Sequence, residues 1–434
     1  MHRVFGLSRF LLYLHSIIIS NSRVIDMNIL ILTHYFHPSP IISAFRMNAF
    51  ARYMREAGHN VTVITDGVHP KSIEWHGCDV HYITDPIYPA YITKSYLEGF
   101  SGWTLRRVIQ SILFRITLHP AYLEEFRFTQ LAKKIIKQKN IDLLLTTGSF
   151  SIGTQLSGLR LKRRFPDIYW IADFRDEVKI PSARRWDINW FMLPHHRRRI
   201  QGIYDKSDLL LSVSAPIVDM IRRASAHGNA LEIRNGYDYP EVTECYFQPQ
   251  FTMSYLGHFY NGITPDNWFK AFAELISEGR IPSDSKIKIV GNPYPINIPD
   301  AIRRNVSILP MVSHDEAVRI SIYESDTLVM VYSKRNGRRG VYSGKLLDYL
   351  ATNKPIISIY DPTDVPGELL AETRAGFAVD EDDIPAIKNA ILECHRLWAE
   401  RRALPRDWDK IRTFHRRHQV ELLLDYLRRT TTLR

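Results

Sequence analysis

Residues 28–65 read NILILTHYFHPSPIISAFRMNAFARYMREAGHNVTVIT and contain three structural signals in a row. The first is the continuous apolar run Asn28–Thr33, which is typical of a strand buried on both faces. A helical pattern follows, with Ser43 positioned to cap its start and Gly58 positioned to end it in a left-handed conformation. Val61–Thr65 then repeats the strand signal. The segment therefore predicts a strand–helix–strand unit with a crossover long enough to join two parallel strands.

The same alternation of strands and helices continues through the chain in two series. The first series adds the apolar runs Ile141–Thr146, Ile168–Ala172, Asp208–Val213 and Leu231–Arg234. The second series comprises Thr252–Leu256, Lys286–Val290, Val306–Leu309, Thr327–Tyr332 and Pro355–Tyr360. Between them, the polar stretch Asp238–Gln250 has no clear period and is predicted to be a linker. Two such series predict an α/β protein with two tandem Rossmann-like, doubly wound domains and a ligand-binding cleft between them.

These patterns divide the chain into four parts. We expect residues 1–26 to lie outside the fold, 27–240 to form the first domain, 241–405 to form the second, and 406–434 to form a basic C-terminal helix. Residues 10–19 are mostly apolar, but no small-residue cleavage site follows them, and the run is shorter than the ~20 residues that span a bilayer. We therefore favour an extension outside the domain over a membrane-surface anchor or a signal peptide.

The charge of the chain favours anionic partners. Its 434 residues include 57 Lys and Arg against 46 Asp and Glu, a net charge of +11. Such a bias suits phosphates, nucleotides, nucleic acid or an anionic membrane surface. No recognised nucleic-acid-binding motif occurs and no GxGxxG follows the first strand of either domain, which disfavours nucleic-acid binding and dehydrogenase activity. The 3 cysteines include no CxxC pair, so we expect neither a zinc knuckle nor a disulfide framework. The expected compartment is a reducing cytoplasm.

Residues 340–355, GVYSGKLLDYLATNKP, hold the most informative group of side chains. Ser343 is positioned as a helix N-cap, and Gly344 allows a ligand to approach the backbone. Lys345 offers a positive charge to a phosphate in the first helical turn. Asp348 lies one turn later on the same face, where a carboxylate can accept hydrogen bonds from ribose hydroxyls. This combination suits a nucleotide sugar, although it also fits an ordinary Lys–Asp pair on a helix surface.

The segment resembles the donor-binding segment of the GT-B glycosyltransferases of family 4 (glycosyl transferases group 1), in which Lys-x-x-Glu-Tyr-Leu-Ala-x-x-Lys-Pro is typical. Asp348 stands where the family usually has Glu, and Gly340 stands at the spacing of an earlier Glu. Three further segments are similar to the family and occur in its order. They are the opening strand and acceptor loop at 28–46, the Asp-Phe-Arg-Asp at 173–176 and the glycine turn at 255–260.

The resemblance covers residues 27–400 and implies transfer of a sugar from a nucleotide diphosphate sugar to an acceptor hydroxyl. It also implies retention of the anomeric configuration and a place in cell-surface polysaccharide or glycolipid biosynthesis. The implied donor-binding residues are Gly257, Arg339, Ser343, Gly344, Lys345 and Asp348. The implied catalytic residues are Asp173, Asp176 and Lys345, and the implied acceptor-binding residues are His34, Arg46 and Arg175. No metal ion and no cofactor besides the donor are expected, because enzymes of this fold rarely hold the diphosphate with a divalent ion.

Some of these assignments have structural alternatives. Arg175 can form an internal ion pair with Asp173 or Asp176, and Arg338 and Arg339 can belong to a solvated basic loop. Two other functions fit the whole chain. One is a nucleotide-sugar epimerase on the same fold, and the other is a non-catalytic protein that binds a nucleotide sugar or a membrane.

Two basic segments suggest contact with a membrane. Residues 103–116 mix aromatic, aliphatic and basic side chains at helical spacing, and His195–Arg199 forms a second cluster. Together they can hold the first domain on an anionic leaflet, whereas a packed helix with a solvated basic face is the alternative. The expected partners are a nucleotide sugar, a saccharide or lipid-linked saccharide acceptor and an anionic membrane surface. The expected location is the cytoplasm, including the inner face of the membrane.

Overall fold

The structure analysed is a computed structural model, and it describes residues 26–39, 42–67, 72–83, 121–148, 151–175, 193–259, 262–334, 340 and 342–431. Two β-sheets lie within these ranges. Of the predicted extension 1–26, only Asp26 belongs to the described part of the chain, so its structure is not addressed.

The first sheet has eight strands within these ranges. They are β1 Asn28–Thr33, β2 Asn60–Asp66, β3 Ser72–Trp75, β4 Cys78–Ile83, β5 Leu143–Gly148, β6 Tyr169–Phe174, β7 Leu209–Ser212 and β8 Ala230–Glu232. Their spatial order is β3-β4-β2-β1-β5-β6-β7-β8, with the edge pair β3–β4 antiparallel and the other neighbours parallel. Because β1 pairs with both β2 and β5, the strand order reverses between β1 and β5. A ligand-binding crevice is expected at the carboxyl ends of these two strands.

β1 confirms the first strand prediction and shows why its sequence is apolar throughout. Every residue from Ile29 to Thr33 is buried. Ile29 and Ile31 pack in one core, while Leu30 and Leu32 pack in a second core on the other side of the sheet. Alternate residues of a strand point to opposite faces, so only a continuous apolar run can serve a sheet covered on both sides.

Five helices in the described ranges belong to the first domain. They are α1 Ile42–Glu56, α2 Ala121–Lys139, α3 Gly153–Arg164, α4 Leu193–Lys206 and α5 Ala215–Ala224. The prediction that Ser43 caps α1 is wrong, because the helix already begins at Ile42 and places Ser43 inside its first turn. Gly58 has a φ of 99°, as predicted for the residue that ends this helix.

The second sheet is parallel and has six strands in the described part of the chain. They are β9 Thr252–Leu256, β10 Lys286–Val290, β11 Val306–Leu309, β12 Thr327–Val331, β13 Ile356–Ile359 and β14 Gly376–Val379. The spatial order is β11-β10-β9-β12-β13-β14. β9 pairs with both β10 and β12, so the switch point of this sheet lies between β9 and β12.

Helices also pack on the second sheet. They are α6 Asp266–Ser277, the 3₁₀ helix Asp300–Asn305, α7 His314–Tyr323, α8 Gly344–Leu350, α9 Val365–Thr373 and α10 Ile384–Ala399. α7 and α8 begin near the carboxyl edge of the sheet, where α7 follows β11 and α8 follows β12. This arrangement places the predicted donor segment at the switch point.

The C-terminal segment is two helices instead of the predicted single helix. These are α11 Trp408–Arg412 and α12 Arg416–Thr430. The chain turns between them because Phe414 is fully buried and the His415 side chain accepts a hydrogen bond from the Arg417 amide, which caps α12. The apolar face of α12 then joins the core of the first domain, through Val420, Leu423, Leu424 and Leu427. The last helix therefore follows the second domain in sequence but packs on the first.

Candidate functional site

A cavity opens at the carboxyl edge of the second sheet, on the side that faces the first domain. Its lining brings together four of the predicted donor-binding residues, Gly257, Gly344, Lys345 and Asp348. One wall is apolar and is formed by Met311, Val312, Ala317 and Val318. Phe45 from α1 and Arg416 from α12 complete the lining from the side of the first domain. The cavity thus has an apolar wall, a cationic region and one carboxylate.

Lys345 provides one positive charge in this cavity. Its Nζ atom donates a hydrogen bond to the Tyr255 hydroxyl at 3.1 Å and lies 4.5 Å from the centre of the Tyr255 ring. Burial lowers the pKa of Lys345 to about 8. Because water is largely excluded around this ammonium group, its field acts on a ligand with less screening than a surface lysine would provide.

Gly257 makes the position of Lys345 possible. It follows β9 with a φ of +133°, and a Cβ atom there would lie only 2.1 Å from Lys345 Nζ. The family resemblance implies donor binding at Gly257, and in the structure the side chain that approaches this residue is Lys345. Ser343 occupies the N-cap position of α8, but its side chain makes no capping hydrogen bond. Arg339 lies outside the described residues.

Asp348 forms a pair with a histidine that the sequence analysis missed. Its Oδ2 atom lies 3.0 Å from His314 Nε2, at the start of α7. This hydrogen bond raises the pKa of His314 and outweighs the opposite effect of burial. The other carboxylate oxygen, Oδ1, is buried and has no hydrogen-bond partner among the described residues. Asp348 thus lines the cavity with a carboxylate that the described residues pair only in part.

His314 was nevertheless accessible to sequence reasoning. Ser313 accepts a hydrogen bond from the Glu316 amide, so the Ser-x-x-Glu pattern marks the beginning of α7. A helix that begins after β11 places its first residue at the carboxyl edge, near the ligand-binding crevice. The side chain of His314 also packs at 5.1 Å from the Phe45 ring, which links this pair to the first domain.

Two predicted residues of the first domain bind each other. Arg46 donates to both carboxylate oxygens of Asp173, at 2.8 and 3.2 Å, and both side chains are buried. Thr147 donates a further hydrogen bond to Asp173 at 3.0 Å. Arg46 is thus the arginine that binds Asp173, one of the two aspartates predicted as possible partners of Arg175. Asp176 lies outside the described residues, so its predicted role is not addressed by the structure.

His34 lies after β1, beside the switch point of the first sheet. It is 6% exposed, and its Nδ1 atom lies 2.8 Å from Asp66 while its Nε2 atom lies 3.7 Å from Glu124. Burial alone would lower the pKa of His34, but the nearby carboxylates of Glu124 and Asp66 outweigh it and raise the pKa. The structure therefore places His34 in a buried cluster with two acidic residues that the sequence analysis did not select.

The described residues contain no group of three His, Cys, Asp or Glu side chains with the geometry to hold a metal ion. Nor does any helix in those ranges have the length and apolar composition to cross a membrane.

The two sheets and their connections form a two-domain, Rossmann-like GT-B fold. No protein-family model matches the sequence, and no curated protein sequence matches it. Among solved structures, the apo form of the lipopolysaccharide outer core galactosyltransferase WaaB has a TM-score of 0.56 at 12% identity, covering 93% of this chain and 99% of its own. Anabaena HepE in complex with UDP-glucose has a TM-score of 0.54 at 13% identity, covering 93% of this chain and 100% of its own.

A third similar structure widens the range of proteins that share the fold. The N-terminal domain of Candida albicans trehalose-6-phosphate phosphatase has a TM-score of 0.60 at 12% identity and covers 94% of this chain and 98% of its own. At such identities the likeness establishes the fold alone. The function depends on the residues in the cavity.

Proposed function

We propose that the protein is a glycosyltransferase that moves a sugar from a nucleotide diphosphate sugar to an acceptor hydroxyl. The observation that supports this most strongly is the meeting of Lys345, Gly257 and Asp348 in one cavity at a topological switch point. These residues come from two separate segments of the second domain. Open α/β sheets bind nucleotides at this place, and the cavity supplies a cation and a hydroxyl acceptor within it.

Lys345 is suited to the leaving diphosphate. Negative charge builds on the phosphate oxygens as the bond to the sugar breaks, and a positioned cation lowers the barrier by stabilising that charge. The Tyr255 hydroxyl holds Nζ in place at 3.1 Å, so little reorganisation is required. With a pKa of about 8, most Lys345 side chains carry a proton at neutral pH. In our proposal Arg339, which precedes α8 in sequence, adds a second cation.

Asp348 is suited to the ribose. Its carboxylate lines the cavity and is contacted by His314 through Oδ2, so a vicinal hydroxyl in the cavity can donate to this group. The apolar wall beside it offers contact area for a nucleobase. We further propose that the reaction retains the anomeric configuration, and that Asp176 orients the acceptor hydroxyl or stabilises positive charge at the anomeric carbon. Family 4 membership, which the sequence resemblance implies, remains part of this proposal.

The direct test uses purified full-length protein with a panel of nucleotide sugars. A bound donor should raise the melting temperature, because a ligand that binds the native state stabilises it. Lys345→Ala and Asp348→Asn should abolish this shift and the release of nucleoside diphosphate in the presence of acceptor. Lys270→Ala, an exposed lysine on α6, is the matched control and should behave as wild type.

Other outcomes of the same experiment would contradict the proposal. Isomerisation of the donor without any acceptor would indicate an epimerase, and binding without turnover would indicate a non-catalytic protein. Wild-type rates in both Lys345→Ala and Asp348→Asn would refute the site. We expect chelation of divalent ions to leave transfer unchanged. The anomeric configuration of the product, read by NMR, tests retention.

A groove on the first domain supports the further proposal of contact with an anionic leaflet that carries a lipid-linked acceptor. Its lining consists of Glu125, Phe126, Arg160, Arg163, Arg164, His195 and Arg199. Phe126 is 54% exposed, so its ring is available to an apolar surface. Glu125 is buried and lies 2.7 Å from Arg199, so it anchors that guanidinium group. An exposed aromatic ring among arginines suits the boundary between lipid headgroups and acyl chains.

Vesicle flotation tests this surface. The wild-type protein should float with vesicles that contain phosphatidylglycerol and remain behind with pure phosphatidylcholine. A variant with Phe126→Ser, Arg163→Gln and Arg164→Gln should lose flotation, whereas Arg303→Gln on the second domain should not. Equal flotation of the triple variant and wild type would reject the surface. The predicted segment 103–116 lies outside the described residues.

A further inference from the structure

Arg416 lines the candidate donor cavity from the side of the first domain. It is the first residue of α12, whose apolar face is built into the core of the first domain. The Arg416 side chain nevertheless lines the cavity in the second domain, together with Lys345 and Asp348. Its amide donates to the Tyr237 carbonyl at 3.0 Å, which fixes the start of α12 beside the linker. The residue therefore connects the two domains at the cavity.

In the described part of the chain, Arg416 makes no direct contact with a carboxylate, although Asp348 and Asp238 lie near enough to act on its charge. No ion pair or side-chain hydrogen bond of Arg416 occurs there, and its guanidinium group lies 5.7 Å from the centre of the Phe45 ring. Its neighbour Arg417 shows the contrast, because Arg417 pairs with Glu56 and lies 4.5 Å from the Tyr53 ring. Partial burial lowers the pKa of Arg416, yet an arginine keeps its proton at physiological pH.

The charge balance of the cavity explains what Arg416 can do. Among the described lining residues, Lys345 and Arg416 are the lysine and arginine side chains, and Asp348 is the carboxylate. Asp348 is paired with His314, whose pKa it raises, and Lys345, with a pKa of about 8, is not fully protonated at slightly alkaline pH. A diphosphate carries at least two negative charges and is bound best by permanent, planar donors such as guanidinium groups.

We propose that Arg416 is a substrate-binding residue that contacts the diphosphate of the donor, so that the donor bridges the second domain and the α12 side of the first. This inference rests on the proposed function, since it names a further residue for the same ligand. Arg416 supplies the charge that does not depend on pH near neutrality, whereas Lys345 supplies the charge that does. Phe45 supports the guanidinium group from the first domain.

The test compares charged and uncharged probes with the full-length protein. Titration calorimetry measures the affinity for UDP, GDP and ADP and for the matching nucleosides. For the nucleoside diphosphate that binds wild type, Arg416→Gln should lower the affinity by about 10- to 100-fold, as expected for loss of a charge-assisted hydrogen bond. The nucleoside should bind Arg416→Gln as it binds wild type. Arg416→Lys should recover part of the loss, and Arg417→Gln, on the same helix, should bind like wild type.

The results that overturn the inference differ from those that overturn the proposed function. If wild type binds a nucleoside diphosphate and Lys345→Ala loses it, but Arg416→Gln binds normally, only the role of Arg416 is refuted. Equal losses of diphosphate and nucleoside in Arg416→Gln would also refute it, because they indicate a structural role. If wild type binds none of the three diphosphates, the proposed function and this inference both fail.

Discussion

Replacing Gly257 by alanine should displace Lys345 without unfolding the protein. The new Cβ atom would lie 2.1 Å from Lys345 Nζ and 2.3 Å from its Cε. Non-bonded heavy atoms settle near ~3.5–4.0 Å, so the ammonium group must move by more than ~1 Å. That movement breaks the 3.1 Å hydrogen bond to Tyr255. Because the clash involves the end of a flexible side chain, the backbone can stay in place.

Two free-energy terms follow from this substitution. An alanine at a φ of +133° costs about 1–3 kcal/mol of stability, which is below the ~5–15 kcal/mol that typically holds a domain together. Loss of one hydrogen bond between Lys345 and a charged phosphate costs about 1.5–3 kcal/mol of binding. At ~1.4 kcal/mol per tenfold change, the affinity for a nucleoside diphosphate should fall about 10- to 150-fold.

Calorimetry and thermal denaturation separate these terms when a matched control is included. Gly279→Ala also introduces an alanine at a positive φ, +66°, with no atom within 4 Å of the new Cβ, so it should lose some stability but no affinity. In a Lys345→Ala background, Gly257→Ala should change affinity by less than about twofold, because its effect acts through Lys345. Normal binding by Gly257→Ala, or an equal loss in both backgrounds, would refute this reasoning.

Three further predictions concern charged groups. Affinity for a nucleoside diphosphate should fall as the pH rises through about 8, because Lys345 loses its proton there. Lys345→Arg should bind without this fall. Calorimetry below and above pH 8 measures both affinities. Asp173→Asn should leave Arg46 as an unpaired buried charge and cost about 3–5 kcal/mol of stability, which thermal denaturation measures. Loss of sugar transfer at an unchanged melting temperature would instead indicate a catalytic role for Asp173. Since its folded-state pKa is raised, His34 should stabilise the fold fully below the unfolded-state pKa of about 6.5 and lose that contribution as the pH rises through its raised value. Urea denaturation of His34→Gln should lack this pH dependence, and an unchanged profile would count against it.

Burial explains part of the accuracy of the strand predictions. β9, β10 and β11 have the bounds that the sequence predicted, and β1 matches as well. The apolar runs of β1 and β9 mark strands that are buried along almost their whole length. β11 was predicted as well, although it lies at an edge of the second sheet and is partly exposed. The missed strands are β3, β4 and β14, which lie at or next to a sheet edge. Edge strands need less apolar surface, and β3 alternates between exposed and partly buried residues, so its pattern is weak.

The features of the candidate site also fall into two groups, those that a local sequence pattern predicts and those that depend on tertiary contacts. The spacing of Lys345 and Asp348 on one helix is a local property, and the sequence predicted that both face a ligand. The pairing of Asp348 with His314 joins two helices of the second domain, and the pairing of Arg46 with Asp173 joins residues 127 positions apart. No local pattern contains such information, because it depends on which strands become neighbours in the sheet.

By itself, the sequence determined the class of fold, the positions of the buried strands and the residues most suited to a nucleotide sugar. These follow from periodicity and side-chain chemistry within short segments. Only the tertiary structure decided that Gly257 gives space to Lys345, that Asp348 keeps one oxygen unpaired, and that α12 returns to the first domain with Arg416 at the cavity. The physical reason is that each of these contacts joins segments that are distant along the chain, and such contacts form only when the two sheets and the helices between them have packed.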